Sequence, residues 1–436
     1  MADGQATQRL GSLDVWLGDV PVGRIMRMAG GGILFVIGES YAQLPQRPIL
    51  SQCYEASARG VSKTVRAYPG HLPPFFENLL PEGPLKTLLA KRANVDPNDQ
   101  LTLLGALGED LPGAVRAFPS SPDRGADPAS KPNTLATDTN ALRFSLAGVQ
   151  LKMSAFLKAN GTLTVPATGS GGSWILKMPV TAWESVPENE YVMMRLAEKA
   201  GIPVPDVELV PVDRIAGLPY EMQDFDGSAL AVRRFDRTED GGRVHMEDFA
   251  QVFGRRPEGK YDGHSYANVA DVLATVSGTQ SVADFVGRVV FSAMIGNGDM
   301  HLKNWSLLYT DPTRPTLSPA YDFVSTIPYI GSDDLALGFG GSKHFGDIDK
   351  SRLEKFAHAA RIPFDLALSQ CRDTAERTRE AWRDHEDRKL LPARIDSLID
   401  TMIQKVAQNV LVGSNPLKRR STKRRRRAAN QRKGSF

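Results

Sequence analysis

At 436 residues the chain is longer than one ordinary domain and is expected to divide into two or three. Its 41% hydrophobic and 24% charged residues are those of a globular soluble protein, and its longest apolar run near the N-terminus, Gly31 to Gly38, is too short to cross a bilayer. The net charge of +3 conceals an asymmetry: ten Lys or Arg and no acid lie between Lys418 and Phe436, and without them the remainder carries −7. Nothing at the N-terminus has the form of a secretory signal, so secretion is not expected. Cys53 and Cys371, far apart and without CxxC spacing, exclude a disulfide framework or a zinc finger and fit a reducing cytoplasm.

In chain order, residues 1–118 show a mixed pattern. Leu13 to Gly18 (LDVWLG) and Ile33 to Gly38 (ILFVIG) read as strands. Pro81 to Ala93 reads as a helix, with Pro84 in its first turn and Leu85, Leu88 and Leu89 on its apolar face. No cluster of convergent catalytic residues occurs here, so a structural or partner-facing module is expected. Residues 119–140, rich in Pro, Ser, Asp and Ala, read as a linker or long surface loop. Residues 141–245 are expected to be β-rich. Arg143 to Leu157 reads as strand, loop and strand, and Asn160-Gly161 as a hairpin turn ahead of TLTVP. GSGGS (169–173) leads into the strand WILKM (174–178). Pro187 then opens a helix with Val192, Leu196, Ala197 and Ala200 on one stripe and Gly201 just beyond its end. VELVPV (207–212) and LAVRRF (230–235) are further strands. From about Met246 to residue 413 helical patterns dominate, and residues 414–436 form a basic tail expected to be disordered.

The chemistry concentrates where one helix ends. Phe285, Val286, Val289, Val290, Ala293 and Met294 recur at helical spacing, so a buried helix runs into Gly296-Asn297-Gly298 and releases Asp299. Asn304 follows five residues later, the spacing of the protein-kinase catalytic loop, in which the Asp accepts a hydroxyl proton and the Asn holds magnesium. WSLLY (305–309) and LSPAYDF (317–323) then read as a hairpin, with Asp322 at a strand end where a second magnesium-binding carboxylate belongs, here followed by Phe323-Val324. Upstream, Lys177 in a strand and Glu190 in the following helix have the order of the phosphate-gripping Lys and its Glu partner. Taken singly, each residue has a bland reading: a surface lysine, a first-turn acid, a hydrogen-bonded loop histidine for His301. The ordered set is far more specific than any one of them. No GxxxxGK[ST] or HExxH occurs, which disfavours a Walker-type NTPase or a metal hydrolase.

The segments SLAGVQLKMSAFL, WILKMP, ENEY, RRFDR, EDFAQVFGRRPEGKY, GNGDMHLKN and PAYDFVSTIP together resemble the successive signature blocks of the HipA family of toxin serine/threonine kinases. FFENLLPEGP (75–84) and LLGALGEDLPGAV (103–115) are similar to that family's N-terminal subdomain, and the likeness runs from Leu13 to about Val412. It implies an α+β, two-lobed protein-kinase-like fold with an N-terminal α/β subdomain and a mainly helical C-terminal lobe. It further implies that Asp299 is the catalytic base, that Asn304 and Asp322 bind magnesium, and that His301 and Lys303 lie beside the phosphates of ATP. Lys177 would contact the phosphates, with Glu190 as its ion-pair partner. The loop Ala147, Gly148, Val149, Gln150, Leu151 and Lys152 would cover the nucleotide. The backbone of Arg233, Arg234 and Phe235 would be the adenine hinge, with Tyr321 also among the nucleotide contacts. Ser145 matches the family's autophosphorylated serine, where nearly two added negative charges would repel the neighbouring phosphate-binding loop. The implied protein substrates are aminoacyl-tRNA synthetases, the glutamyl enzyme first. Phosphorylating them would block translation and slow growth. The implied partner is a small helix-turn-helix antitoxin (HipB-like) that binds operator DNA.

Two other readings stay open at this point: a HipA-like co-repressor scaffold with little activity, and a kinase of a small molecule. The intact Lys177, Asp299, Asn304 and Asp322 argue against the first. The tail KRRSTKRRRRAANQRK can neutralise phosphates of DNA or RNA or be a solvated extension. It has no aromatic residue for base stacking before Phe436.

Overall fold

The computed structural model describes residues 9–56, 60–61, 68–120, 152–157, 163–165, 172–179, 182–218, 225–331 and 333–412. Of the sequence expectations, the basic tail, all but the first two residues of the 119–140 stretch, the Asn160-Gly161 turn, Ser145 and the loop from Ala147 to Leu151 lie outside the described residues.

The N-terminal module is an antiparallel sheet with strand order β4-β3-β2-β1-β5, formed by β1 (Ser12–Leu17), β2 (Val20–Arg27), β3 (Gly32–Ile37), β4 (Tyr68–Pro69) and β5 (Val115–Pro119). Leu13, Val15 and Leu17 alternate inward along β1, as a strand with one buried face requires. Four helices accompany this sheet: α1 (Glu39–Ala42), α2 (Pro74–Glu77), α3 (Gly83–Arg92) and α4 (Gln100–Leu107). In α3, Leu85 and Leu89 are buried and Leu88 packs at the core's edge.

A second antiparallel sheet, order β7-β6-β8-β10-β9, contains β6 (Lys152–Leu157), β7 (Leu163–Thr164), β8 (Trp174–Lys177), β9 (Val207–Pro211) and β10 (Ser228–Arg233). Its inward residues Met153, Ala155, Leu176 and Ala229 share one apolar cluster with Leu13, Val15 and Ile25 of the first sheet. Helix α5 (Val186–Lys199) lies between β8 and β9 in sequence. It starts at Ser185 with Pro187 in its first turn, and Gly201 at φ +77° follows its last turn. Its stripe of Val192, Leu196 and Ala197 nevertheless enters the core of the helical lobe.

That lobe comprises α6 (Phe249–Val252), α7 (Tyr266–Val276), α8 (Thr279–Met294), α9 (Lys350–Ala359), α10 (Phe364–Arg383) and α11 (Ala393–Val412). It also carries a third antiparallel sheet, β11 (His245–Asp248), β12 (Ser306–Asp311) and β13 (Arg314–Leu317). Helix α8 is buried nearly all round, packed by α7, α10 and α11. Among the described residues no helix is long and apolar enough to cross a membrane.

One strand was not foreseen and one expectation needs correction. Where the mainly helical region begins, His245 to Asp248 pair with Tyr309 to Ser306. Four polar-rich residues carry no periodic signal, and only the tertiary partner makes them a strand. The second arm of the hairpin is Arg314–Leu317, not the run through Phe323. Pro319 has no N–H to give a ladder, and Asp322 adopts φ +55°, so the chain leaves the sheet five residues before Asp322.

The N-terminal module is fastened by buried polar links. Asp110 takes Arg237 at 2.8 Å and Arg234 at 3.4 Å, and Asp236 takes both arginines at 2.8 Å and the Gly113 N–H at 2.8 Å. Glu247 accepts from the Ser51 hydroxyl, the Gln52 N–H (3.0 Å) and the Tyr309 hydroxyl (2.5 Å). Replacing Asp110 by Ala leaves Arg234 and Arg237 buried with one carboxylate between them. The expected cost is about 3–5 kcal/mol, read as a lower denaturation midpoint, and an unchanged midpoint refutes the role given to Asp110.

Glu247 gives a pH dependence. Burial pushes its carboxyl up to about 7, against the three donors, from an ordinary 4.5. Between these values the folded state keeps a proton that the unfolded state has released, so stability falls as pH rises through that window, by on the order of 3 kcal/mol. Glu247→Gln cannot titrate and should flatten this part of the melting-temperature profile between pH 5 and 7. Superimposable profiles rule the assignment out.

Candidate active site

The polar run after α8 is held by side-chain bonds to its backbone. Gly296 at φ +65° turns the chain out of the helix. Asn297, fully buried, accepts the Asp299 N–H at 3.0 Å and donates to the Asp322 carbonyl at 3.3 Å. Thr326 Oγ1 accepts the Gly298 N–H at 2.8 Å and bonds the Gly296 carbonyl at 3.0 Å. Asn304 Nδ2 donates to the Asp299 carbonyl at 2.8 Å, closing the five-residue loop. That bond leaves Asn304 Oδ1 as the amide's acceptor. His301, Lys303 and Asn304 are buried, whereas 48% of the Asp299 side chain is exposed. The loop therefore fixes its frame and presents one carboxylate.

Lys177, Glu190, Asp322 and Lys152 form the second part. Lys152 and Lys177 are direct cross-strand partners on β6 and β8, an arrangement that repels unless an anion lies between them. Asp322 is that anion: its Oδ1 bonds Lys177 and its Oδ2 lies 3.2 Å from Lys152. Lys177, only 4% exposed, also bonds Glu190 of α5. Burial lifts both carboxyls, but the two lysines reverse this for Asp322 and hold it well below the usual range. Glu190 has one close cation and the Asp322 charge nearby, so its carboxyl stays raised. Burial would lower the Lys177 ammonium, yet the two carboxylates lift it above its ordinary value.

Both parts open on one cavity of about 640 Å³, within the range of small-molecule sites. Lys152, Lys177, Glu190, Asp299, Asn304 and Asp322 line it, as do His301, Lys303 and Tyr321. The Tyr321 hydroxyl bonds the Lys303 carbonyl at 2.9 Å and Ser306 at 2.6 Å, and its ring lies 5.6 Å from that of Phe235. Arg233, Arg234 and Phe235 also line the cavity. The N–H groups of Arg233 and Arg234 are already given to the carbonyls of Asp206 and Ser173, at 2.9 and 2.8 Å, which restricts what a hinge could offer to carbonyls and to Phe235. The Arg234 guanidinium is engaged by Asp236 and Asp110. Arg233 reaches outward to Asp206 and Glu239. Burial pushes the His301 imidazole down to about 4, so it is neutral at pH 7, and its Nδ1 is buried without a hydrogen-bond partner among the described residues.

The N-terminal module, expected to be structural or partner-facing, also contributes to the cavity wall. Asn78 and Glu82 line the cavity, and Glu82 takes Lys303 at 2.6 Å and Lys260 at 3.1 Å. Burial would raise the Glu82 carboxyl, but these two lysines bring it below its ordinary value. Tyr261, which donates to Asp299 Oδ1, was not anticipated either, nor was Asp333. A Cβ on Gly298 would meet the Asp333 carboxylate at 2.1 Å, so any larger residue there would have to displace that side chain. The blocks FFENLLPEGP and EDFAQVFGRRPEGKY held the signal for Glu82, Lys260 and Tyr261, but nothing local marks them as neighbours. Of the Ala147 to Lys152 loop only Lys152 is among the described residues, and Ser145 is not.

The donor set suits a hard cation. Asp322 and Asn304 line one cavity and bring a carboxylate and an amide oxygen, donor types that suit a magnesium site completed by phosphate and water. Among the described residues no group of three or more His, Cys, Asp or Glu is placed to hold a metal by itself.

Comparison with known proteins agrees with this geometry. The HipA N-terminal domain family matches residues 13–118 and the HipA-like C-terminal domain family matches residues 144–385. Y4dM of Sinorhizobium fredii, assigned as a kinase, is 46% identical over 392 residues, 89% of this chain and 95% of Y4dM. The serine/threonine-protein kinase toxin HipA of Shewanella oneidensis is 27% identical over 345 residues, 70% of this chain and 75% of that one. Among solved structures, a chain of the Shewanella oneidensis complex of HipA, HipB and operator DNA superposes with a TM-score of 0.69 at 23% identity, covering 92% of this chain and 97% of its own. The two-lobed α+β fold expected from the sequence is the fold observed.

The Lys177 cluster can be tested by stability alone. Lys177→Met leaves Glu190 and Asp322 facing one another, at a cost of about 3–5 kcal/mol. Adding Glu190→Gln removes one of the two charges and should recover part of the loss in thermal melts. Equal melting temperatures for the original protein and Lys177→Met exclude the arrangement.

Proposed function

The chain belongs to the HipA family, and from that premise we propose that it is a toxin serine/threonine-protein kinase that transfers the γ-phosphate of ATP to a protein hydroxyl. The observation that carries this reading is the convergence of Lys177, Asp299, Asn304 and Asp322 on one cavity, with Asp299 the exposed member.

Asp299 accepts the proton of the serine or threonine hydroxyl as its oxygen forms a bond to the γ-phosphorus. The bond from that phosphorus to the bridging oxygen breaks, and ADP leaves with the electron pair. Lys177, held by Glu190, grips the phosphates, with Lys303 and the neutral His301 beside them. Asp322 and Asn304 would hold magnesium, which neutralises charge on the transferring group when bound. The adenine base lies against Phe235 and the carbonyl groups of the hinge. Lys152, paired with Asp322, is the described end of the loop from Ala147 that covers the nucleotide. Phosphorylation of Ser145 at the start of that segment switches the enzyme off by charge repulsion.

The protein substrate we propose is an aminoacyl-tRNA synthetase, the glutamyl enzyme first, and its modification arrests translation in the cytoplasm. The partner is a small helix-turn-helix antitoxin, through which the kinase joins operator DNA. The complex to which this fold is similar supports that partnership, and the −7 charge of the chain before its basic tail is suited to a cationic DNA-binding protein.

Asp299→Gln tests the chemistry. Removing the base should lower phosphate transfer by roughly a hundred- to ten-thousand-fold, while a half-exposed loop carboxylate contributes little to packing and the melting curve should stay in place. The readout is radioactive phosphate from labelled ATP on the protein itself and on proteins of a bacterial lysate. Labelling at the original rate means that Asp299 is not the base.

A further inference from the structure

Glu82 occupies the position just before the first turn of α3, with extended backbone at φ −112°, and Gly83 follows at φ +55°. An acid there ordinarily accepts a backbone N–H of its own helix. The Glu82 carboxylate makes no such bond and turns away from α3 toward the catalytic lobe. There each oxygen takes one lysine: Oε1 lies 2.6 Å from Lys303 Nζ and Oε2 3.1 Å from Lys260 Nζ.

These lysines lead to two separate parts of the catalytic loop. Lys303 is one residue from Asn304, and its ammonium also reaches the Asn78 carbonyl at 3.4 Å. Lys260 accepts the Leu302 N–H on its carbonyl at 3.1 Å, which ties the 257–261 turn to the loop. The next residue, Tyr261, donates its hydroxyl to Asp299 Oδ1 and sets its ring edge-on to His301, with centroids 4.9 Å apart at 80°.

We infer that Glu82 is a positioning residue of the phosphotransfer site. One carboxylate, supplied by the N-terminal module, holds Lys303 toward the nucleotide and, through Lys260 and Tyr261, sets the direction of Asp299. The inference rests on the kinase reading above. Without Glu82 the two ammonium groups lose the carboxylate between them, and Lys303 keeps a 3.4 Å contact to the Asn78 carbonyl with the Asp248 charge nearby. The module itself stays docked, because Glu77 with Arg256 (2.8 Å), Asn78 with the Arg255 carbonyl (2.7 Å) and the Asp110 network are independent of Glu82.

The test compares Glu82→Gln, Lys303→Gln and the double variant of the full chain, each in thermal melts and in titration with a fluorescent, non-hydrolysable ATP analogue plus magnesium. Glu82→Gln should melt within a few degrees of the original protein, bind the analogue about five- to tenfold more weakly and label itself more slowly. In the Lys303→Gln background the same change should alter affinity less than about twofold, because the group it acts through is gone. Undiminished affinity in Glu82→Gln, an effect of full size in the double variant, or a large fall in melting temperature each overturns the inference. Asp299→Gln is labelled in parallel. If it remains active the kinase chemistry assigned to Asp299 fails, whereas the binding comparison still judges Glu82.

Discussion

Asp322 is where the charges of one sheet and one helix become one site. Two lysines placed side by side on β6 and β8 cannot share a buried face without a negative charge between them. The chain supplies it from the far side of the cleft, five residues past the end of β13. Lys177 in turn carries Glu190 of α5, a helix whose apolar stripe belongs to the catalytic lobe. One alternating row of cation and anion thus links the β-sheet, α5 and the segment after β13. Each member left alone would be costly to bury; together they are compensated, and a phosphate or a metal arriving at the cavity meets charges already aimed at it.

The left-handed backbone of Asp322 belongs to the same constraint. A non-glycine residue at φ +55° costs on the order of 1–3 kcal/mol and persists only where its surroundings over-determine it. Here the carbonyl is taken by Asn297 Nδ2 and both carboxylate oxygens by lysines, so side chain and main chain are fixed together. Asn297 also accepts the Asp299 N–H, which makes one buried amide the reference point for both acidic residues.

Much of this was legible in the sequence because it depends on local order. Apolar residues at helical spacing locate α8, a glycine-flanked bend locates the release of Asp299, and the Asp299-to-Asn304 interval fixes the loop. Lys177 and Glu190 follow from a short strand and a Pro-initiated helix. What stayed hidden is non-local. The strand β11 exists because His245 to Asp248 meet β12, and its sequence alone points elsewhere. The position of Asp322 depends on a departure from the sheet that a Leu-Ser-Pro run signals only through Pro319. Glu82 lies 221 residues from Lys303, and no periodicity links a residue at the start of α3 to a loop after α8.

That separation bears on why the N-terminal module accompanies the catalytic lobes. Its sheet shares an apolar core with the β-sheet carrying Lys152 and Lys177, so residues of β1 and β2 belong to the core that supports both lysines. The end of α2 and the start of α3 meet the other lobe through carboxylates: Glu77 on Arg256, Glu82 on Lys260 and Lys303. Asp110 binds the arginines that flank Phe235 and Asp236 in the hinge strand's continuation. The module therefore borders the cleft directly at Glu82, and through Asp110 it holds the arginines on either side of Phe235 and Asp236. A shift of the module relative to the helical lobe would disturb both contacts at once. Apolar contacts alone could tolerate a small slide, but paired buried charges cannot, because each lost partner leaves an uncompensated ion. The cost of such a shift falls on the residues that line the cavity, which makes the module's docking and the geometry of the site a single equilibrium.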